Sequence, residues 1–231
     1  SGKTNLIALD LGAQGDPVEA LQRLIDIARA DLAPHLVARE LIALSGGESG
    51  IKPVIGMFLG GAGLADIMLY CRERVYPLGL PNGISHFITA VAVVLRQVFG
   101  LRASFLPPEP RPLSVSVHQR GAITGRFAFL FVTTLEKLLL SSEVASAGTG
   151  PLKFVAVEQK PVSMLRAFAA SLAGKLGRTK LDGVHVEEAD EIAIEGEESQ
   201  VILDGETFRA GPGKPILLRP AQPLSFVRIA A

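Results

Sequence analysis

The chain has 231 residues, and its 23 Lys plus Arg balance its 23 Asp plus Glu, so no net field favours a nucleic acid. Hydrophobic residues make up 48% of the chain, which supports a sizeable core and excludes a mainly disordered protein. The single cysteine, Cys71, excludes an internal disulfide framework and a cysteine-based zinc site, and it fits a cytoplasmic protein.

The first predicted element is a helix that begins after Asp16. Asp16 can cap the helix, Pro17 suits the first helical position and Glu19 completes a capping box. Apolar residues then recur at helical spacing until about Ala30. The residues on this apolar face are Val18, Leu21, Leu24, Ile25 and Ala28.

Two strands and two helices are predicted next. Residues 36–44 and 51–59 have the composition of strands, and residues 62–74 that of a helix. A second helix contains the most apolar stretch of the chain, residues 87–95. This stretch is too short for a membrane span, which needs roughly 20 apolar residues.

The remainder of the chain predicts strands around one further helix. Strands are expected at 113–118, 127–132 and 152–157, and short strands follow residue 183. Residues 127–132 are apolar throughout, which predicts a strand covered on both faces. The helix begins at Pro161, and the residues predicted to face inward are Met164, Leu165, Phe168 and Leu172. This order lacks strict βαβ alternation, so the predicted class is α+β, a large antiparallel β-sandwich with helical insertions.

Two glycine-containing segments could present backbone N–H groups to a phosphate. Ser1-Gly2-Lys3-Thr4 matches the end of a P-loop, but the leading Gly and the preceding strand of that motif are absent from the sequence. Residues 60–63, Gly-Gly-Ala-Gly, lie between a predicted strand and a predicted helix, where the helix dipole would favour a phosphate. A tight strand-to-helix turn is the alternative, and we favour it. The four histidines lack metal-ligand spacing, so no metal site is predicted.

Residues 200–209 predict a hairpin with an acidic turn. Asp204-Gly205 between two extended runs is a strong turn signal, because Gly relieves the positive φ that a tight turn requires. Asp204 and Glu206 are two residues apart and could converge on one opening. There Asp204 would accept a proton from a hydroxyl nucleophile, with Glu206 orienting it. Spacing alone leaves a structural turn and a catalytic pair both open.

Several segments, taken in order, resemble the diacylglycerol kinase-like lipid kinase family. Residues 2–8 resemble the family's Gly-Thr-x-Asn segment and the helix that follows it. Residues 55–63 resemble the strand and glycine turn that open its second domain. Residues 201–206 match its Leu-Asp-Gly-Glu motif, and residues 215–220 also resemble the family.

The resemblance implies both an architecture and a reaction. Residues 1–32 would be the C-terminal remnant of a small α/β nucleotide-binding domain. Residues 33–231 would form a β-sandwich lipid kinase-like domain with a helical insertion at about 62–106. The reaction would transfer the γ-phosphoryl group of ATP to a lipid hydroxyl, as in diacylglycerol, with Mg2+.

The family resemblance also implies roles for individual residues. Asp204 would be the catalytic base, with Glu206 beside it. The nucleotide would contact Gly2, Thr4 and Asn5.

Three departures from the family pattern affect these expectations. The family's Gly-Gly-Asp-Gly phosphate loop has no counterpart, so the chain is expected to be a C-terminal part or a degenerate relative, and its own enzymatic activity is left open. Lys3 stands where the family has its first Thr. Residues 149–152 lack the Asp of the family's structural magnesium segment, so no metal site is predicted there either.

The alternative function is non-catalytic: a β-sandwich module that binds a lipid or a partner through the apolar helix at 87–98. For the kinase, the expected partner is a lipid alcohol, with peripheral membrane contact and no nucleic acid. A long edge strand would allow a homodimer. The expected location is the cytoplasm, including its membrane periphery.

Overall fold

The computed structural model describes residues 6–13, 15–47, 52–75, 110–118, 121–135, 150–173, 175–196, 199–211 and 213–229. Two antiparallel sheets of six strands each dominate it, with few helices around them. The fold is therefore α+β and mostly β, as the order of predicted elements indicated. The predicted apolar helix at 87–98 lies outside the described residues, and so do Gly2, Thr4 and Asn5.

The strands are β1 (Leu36–Gly46), β2 (Val54–Gly56), β3 (Phe58–Gly61), β4 (Leu113–Val117), β5 (Gly121–Gly125), β6 (Phe127–Thr133), β7 (Leu152–Glu158), β8 (Val184–Ala189), β9 (Ile192–Glu195), β10 (Ser199–Leu203), β11 (Glu206–Ala210) and β12 (Ile216–Val227). The first sheet has the order β2-β1-β12-β9-β4-β5, and the second has β11-β10-β3-β6-β7-β8.

The helices of the described residues are α1 (Leu6–Asp10), α2 (Pro17–Ala30), α3 (Gly63–Tyr70) and α4 (Pro161–Leu172). A 3-10 turn at Ala33–His35 precedes β1, and a π-helical turn at Cys71–Val75 extends α3. Cys71, at the start of this turn, is buried. Among the described residues, no helix combines the length and the apolar character that a membrane crossing requires.

The core lies between the facing surfaces of the two sheets. In β4 the residues Leu113, Val115 and Val117 are buried, while Ser114 and Ser116 point away, as period-2 alternation requires. The other large residues of this core include Ile42, Leu44, Leu59, Leu130, Phe154, Ile192, Ile194, Val201, Ile216 and Leu218.

Strand β6 is covered on both faces, as its unbroken apolar sequence predicted. Phe127, Leu130 and Val132 belong to the core between the sheets. Phe129 and Phe131 pack in a second cluster on the outer side of the second sheet, together with residues of α4. The outer cluster anchors α4 to this sheet.

Residues 51–59 do not form the single strand that was predicted. The chain instead leaves the first sheet at the end of β2 and enters the second sheet at the start of β3, with Met57 between them. The Met57 carbonyl accepts hydrogen bonds from Thr133 Oγ1 (3.0 Å) and the Thr134 N–H (3.2 Å). These bonds give the Met57 carbonyl its hydrogen-bond partners at the point where the strand is interrupted. We call residues 56–58 the crossover.

Helix α2 has the predicted cap but not a packed face. The Asp16 carboxylate accepts a hydrogen bond from the Val18 N–H at 2.8 Å. Val18, Leu21 and Ile25 are 72%, 57% and 37% exposed. The domain boundary after residue 32 stays a prediction.

The inward face predicted for α4 is wrong in part. Met164 packs against the second sheet, but Leu165 is 69% exposed and Phe168 is 57% exposed. The small residues Ala167 and Ala170 lie against the sheet instead. Because α4 is apolar on both sides, the hydrophobic pattern does not determine which side faces the core. The side chain of Leu172 lies outside the described residues.

Candidate active site

Asp204 and Gly205 form the tight turn between β10 and β11 that the sequence predicted. Their φ angles are 46° and 97°, and Leu203 pairs with Glu206 across the turn. Asp tolerates the left-handed region better than most residues, and Gly occupies it without penalty. The Asp-Gly pair is therefore explained by backbone conformation alone.

The Asp204 carboxylate is fixed by backbone donors of the crossover. Its Oδ2 accepts a hydrogen bond from the Met57 N–H at 2.9 Å, and its Oδ1 accepts one from the Phe58 N–H at 3.0 Å. The Asp204 N–H in turn donates to the Phe58 carbonyl at 3.0 Å. The turn is thus tied to the point where the chain changes sheets, and the carboxylate orientation is set by main-chain atoms.

Thr133 and Thr134 position the peptide that holds this carboxylate. Both donate to the Met57 carbonyl, while the Met57 N–H donates to Asp204. The Leu135 N–H donates to Thr133 Oγ1 at 3.1 Å, and Thr133 is fully buried. The donors that face Asp204 are consequently held by the end of β6.

Gly56 allows the turn to approach the crossover closely. A Cβ at this position would lie 2.6 Å from Leu203 Cγ and 2.8 Å from Asp204 Oδ2. Leu203 is only 2% exposed, so it has little room to move. A side chain at position 56 would therefore compete directly with the Asp204 carboxylate for space.

We expect Gly56→Ala to lower the free energy of unfolding by about 1–3 kcal/mol through overpacking. Urea denaturation measures this change. Gly60→Ala on β3 is the matched control, since the three atoms nearest to its Cβ would belong to the Leu64 and Met68 side chains, at 3.2 Å and beyond. An equal loss in both variants would contradict the close approach of Asp204 to Gly56.

The electrostatic environment of Asp204 suits a proton acceptor. Partial burial raises the pKa of this carboxyl above its ordinary value, against the lowering effect of the N–H groups of Met57 and Phe58. Each carboxylate oxygen receives one N–H and keeps a further lone pair. The residue as a whole is exposed, while its carboxyl group is partly buried against the crossover.

Helix α1 lies against the crossover. Ile7 packs in one cluster with Met57 and Phe58. The helix is held there by a buried ion pair, in which Arg39 Nε donates to Asp10 Oδ2 at 2.8 Å. The start of the described chain is thus adjacent to the residues that bind the Asp204 carboxylate.

Three solved structures from Bacillus anthracis str. Sterne are similar to this chain, one described as a diacylglycerol kinase and two as a putative diacylglycerol kinase. Their TM-scores are 0.53, 0.55 and 0.52, and each is 16% identical in sequence. The matches cover 96%, 94% and 94% of this chain. The chain has a diacylglycerol kinase-like fold.

The match covers only part of each of these three solved structures, and it rests on structural similarity alone. The chain spans 62%, 62% and 63% of the lengths of these three structures. No protein-family model matches the sequence, and no curated protein does. At this identity the likeness establishes the fold, and activity has to be argued from the site.

Within the diacylglycerol kinase-like fold, Glu206 does not share the environment of Asp204. Glu206 is exposed at the start of β11. In the described part of the chain its side chain makes no hydrogen bond or ion pair, and it does not contribute to the pKa shift of Asp204. A catalytic role for Glu206 stays a prediction that no contact supports.

The glycine turn before α3 is explained by packing. A Cβ on Gly63 would lie 2.4 Å from the Ala128 carbonyl oxygen, and a Cβ on Gly61 would lie 3.0 Å from Leu130. Ala62 adopts a positive φ of 53°. These contacts favour the tight-turn interpretation over a phosphate-binding loop.

The donors most important to the site were missed by sequence reasoning. The Met57 and Phe58 N–H groups belong to the backbone, and backbone donors leave no signature in residue type. Thr133 at the end of an apolar strand was a usable signal, because a buried hydroxyl group there needs a partner, and its Oγ1 donates to the Met57 carbonyl. No group of three or more His, Cys, Asp or Glu side chains that could hold a metal occurs within the described ranges.

Proposed function

We propose that this protein phosphorylates a lipid hydroxyl, as in a diacylglycerol-like substrate, with Asp204 as the base that accepts the hydroxyl proton. The main support is the carboxylate itself, which two crossover N–H groups hold in one orientation beside helix α1. The kinase-like fold is consistent with this role.

In the proposed reaction the lipid oxygen attacks the γ-phosphorus while its proton passes to Asp204. ATP supplies the phosphoryl group, and the bond from the γ-phosphorus to the bridging oxygen breaks to release ADP. The Met57 and Phe58 N–H groups keep the ionised carboxylate aligned before transfer. Partial burial then favours the neutral carboxyl after it has taken the proton.

The nucleotide-binding residues of this proposal lie at the start of the chain. Gly2, Thr4 and Asn5 are proposed to contact ATP, within a nucleotide-binding segment at 1–32. The described residues contain no cluster suited to Mg2+, so we assign no step to a metal. Glu206 lies two residues after Asp204 in the sequence, and the proposed reaction assigns no step to it.

A second candidate function follows from the same hydrogen bonds. The Asp204 carboxylate would also serve as a structural tie between the hairpin turn and the crossover, in a module that binds lipid without catalysis. Such a module needs no nucleotide. Magnesium-dependent ATP binding by the protein would exclude this alternative.

The pH dependence of the reaction tests the role of Asp204. Because burial raises the pKa of Asp204, we expect the acid limb of kcat/KM to lie above the ordinary Asp value of 3.8. Activity falls as the pH falls through this pKa, since a protonated carboxyl cannot accept the hydroxyl proton. The measurement is transfer of labelled γ-phosphate from ATP to diacylglycerol in mixed micelles.

The acid limb of kcat/KM has to be distinguished from a loss of activity through acid unfolding. A folded-state pKa above the unfolded value means that Asp204 contributes more to stability as the pH falls through the same range. Its protonation therefore cannot cause loss of activity by unfolding. An acid limb at or below 3.8 would contradict the assignment, and so would the absence of any transfer to lipid at neutral pH.

A further inference from the structure

The outward side of helix α4 is apolar although nothing in the described structure covers it. Val162, Leu165 and Phe168 are 57%, 69% and 57% exposed, and Ala169 is exposed beside them. We call these four residues the outer face of α4. The opposite side of the helix is already packed on the second sheet through Met164, Ala167 and Ala170.

An exposed apolar helix face in a folded protein needs an explanation. A helix that is hydrophobic all round is normally buried on all sides. Contiguous exposed apolar residues commonly mark a surface that docks on a partner or a membrane. The charge of the surrounding segment decides between these occupants.

All charged residues in the segment that contains α4 are basic. Between residues 159 and 181 there is no Asp or Glu, in a chain whose net charge is zero. The basic residues in this segment are Lys160, Arg166, Lys175, Arg178 and Lys180.

Two of these basic side chains have acidic neighbours just outside the segment. Lys160 Nζ lies 2.6 Å from Glu158 Oε2, and Arg166 lies 3.8 Å from Asp182. Lys175, Arg178 and Lys180 are exposed, and none of them forms an ion pair within the part of the chain that the structure describes. Positive charge without an acidic partner among the described residues therefore remains in the segment that includes the outer face and the residues directly after α4.

Helix α2 shows that an exposed apolar face alone does not imply the same occupant. Its exposed residues Val18 and Leu21 resemble those of α4 in size and exposure. Its charged residues are mixed and mainly acidic: Asp16, Glu19, Arg23, Asp26, Arg29 and Asp31. An anionic surface would repel this helix and attract α4.

We propose that the outer face of α4, with its basic flank, docks on the surface of an anionic lipid bilayer. Apolar side chains from one helix face enter the acyl boundary in such contacts, and nearby Lys and Arg side chains meet the headgroups. This surface adds to the proposed lipid phosphorylation by bringing the protein to its substrate. The reason for membrane docking rests on the proposed function. Vesicle binding itself can be tested separately, because it requires neither nucleotide nor Asp204.

The test is sedimentation of the protein with vesicles in the absence of ATP. Phosphatidylcholine vesicles containing about one third phosphatidylserine provide the anionic surface, and pure phosphatidylcholine is the neutral comparison. We expect binding to the anionic vesicles, with an affinity that falls as salt is added. L165S/F168S should lower the partition coefficient at least about tenfold. K175Q/R178Q should lower it about fivefold for each basic residue that reaches the headgroups.

V18S/L21S on α2 is the matched control and should bind vesicles as the unmodified protein does. All of these residues are exposed, so each variant should keep the unmodified unfolding midpoint, which circular dichroism verifies. Unchanged binding by L165S/F168S, or equal binding to neutral vesicles, would overturn the proposal. Absence of vesicle binding, together with self-association that L165S/F168S abolishes, would assign the outer face to a second copy of the chain.

Discussion

Asp204→Asn is expected to reduce phosphoryl transfer to a lipid hydroxyl at least about 100-fold in the protein that contains this chain, because general-base catalysis contributes about that much. The amide cannot accept the hydroxyl proton. The turn should survive, since Asn tolerates the positive φ of 46°. The measurement is single-turnover transfer of labelled phosphate to diacylglycerol.

The same substitution has a stability cost that has to be separated from catalysis. The Asn amide group would present one acceptor to the two N–H donors of Met57 and Phe58, which costs about 1–3 kcal/mol. Ile194→Val is the control, because Ile194 is fully buried in the other sheet and the change costs about 0.5–1.5 kcal/mol. If Ile194→Val loses as much activity as Asp204→Asn, the base assignment fails.

Asp10→Ala is expected to destabilise the fold by about 3–5 kcal/mol, because it leaves the Arg39 charge buried without its carboxylate partner. Asp10 and Arg39 are 3% and 8% exposed, and their ion pair measures 2.8 Å. This pair holds α1 on the first sheet, and α1 carries Ile7 against the crossover. Chemical denaturation followed by circular dichroism gives the loss.

Two further variants make this stability test specific. D10A/R39M should be less destabilised than the sum of the single variants, since it removes both buried charges. Glu191→Ala is the matched control: Glu191 pairs with Arg219 at the same 2.7–2.8 Å separation but at the surface, and its loss should cost only about 0–1 kcal/mol. Equal losses for Asp10→Ala and Glu191→Ala would show that the buried pair does not anchor α1.

Local sequence signals predicted the parts of the fold that depend on neighbouring residues. The Asp204-Gly205 turn follows from backbone preference, and the burial of β6 on both faces follows from its unbroken apolar sequence. The α+β class followed from the order of elements. These features need no information about distant segments.

The features that failed or were missed depend on distant partners. Met57 interrupts a strand because its carbonyl is bound at the end of β6. The residue that binds it through a side chain, Thr133, is 76 residues away in sequence. The carboxylate of Asp204 is bound by backbone N–H groups 147 and 146 residues away. For α4 the two sides are similarly apolar, so only the sheet beneath it determines which side is buried.

The distance between the Asp204 carboxylate and the acceptor hydroxyl tests the account most directly. A crystal structure of the protein with a non-hydrolysable ATP analogue and a diacylglycerol would measure it. We predict that one carboxylate oxygen lies within about 3.2 Å of the lipid hydroxyl while the Met57 and Phe58 N–H groups still bind the carboxylate. A lipid hydroxyl beside the γ-phosphate but out of hydrogen-bonding reach of Asp204, either directly or through one water, would contradict the account.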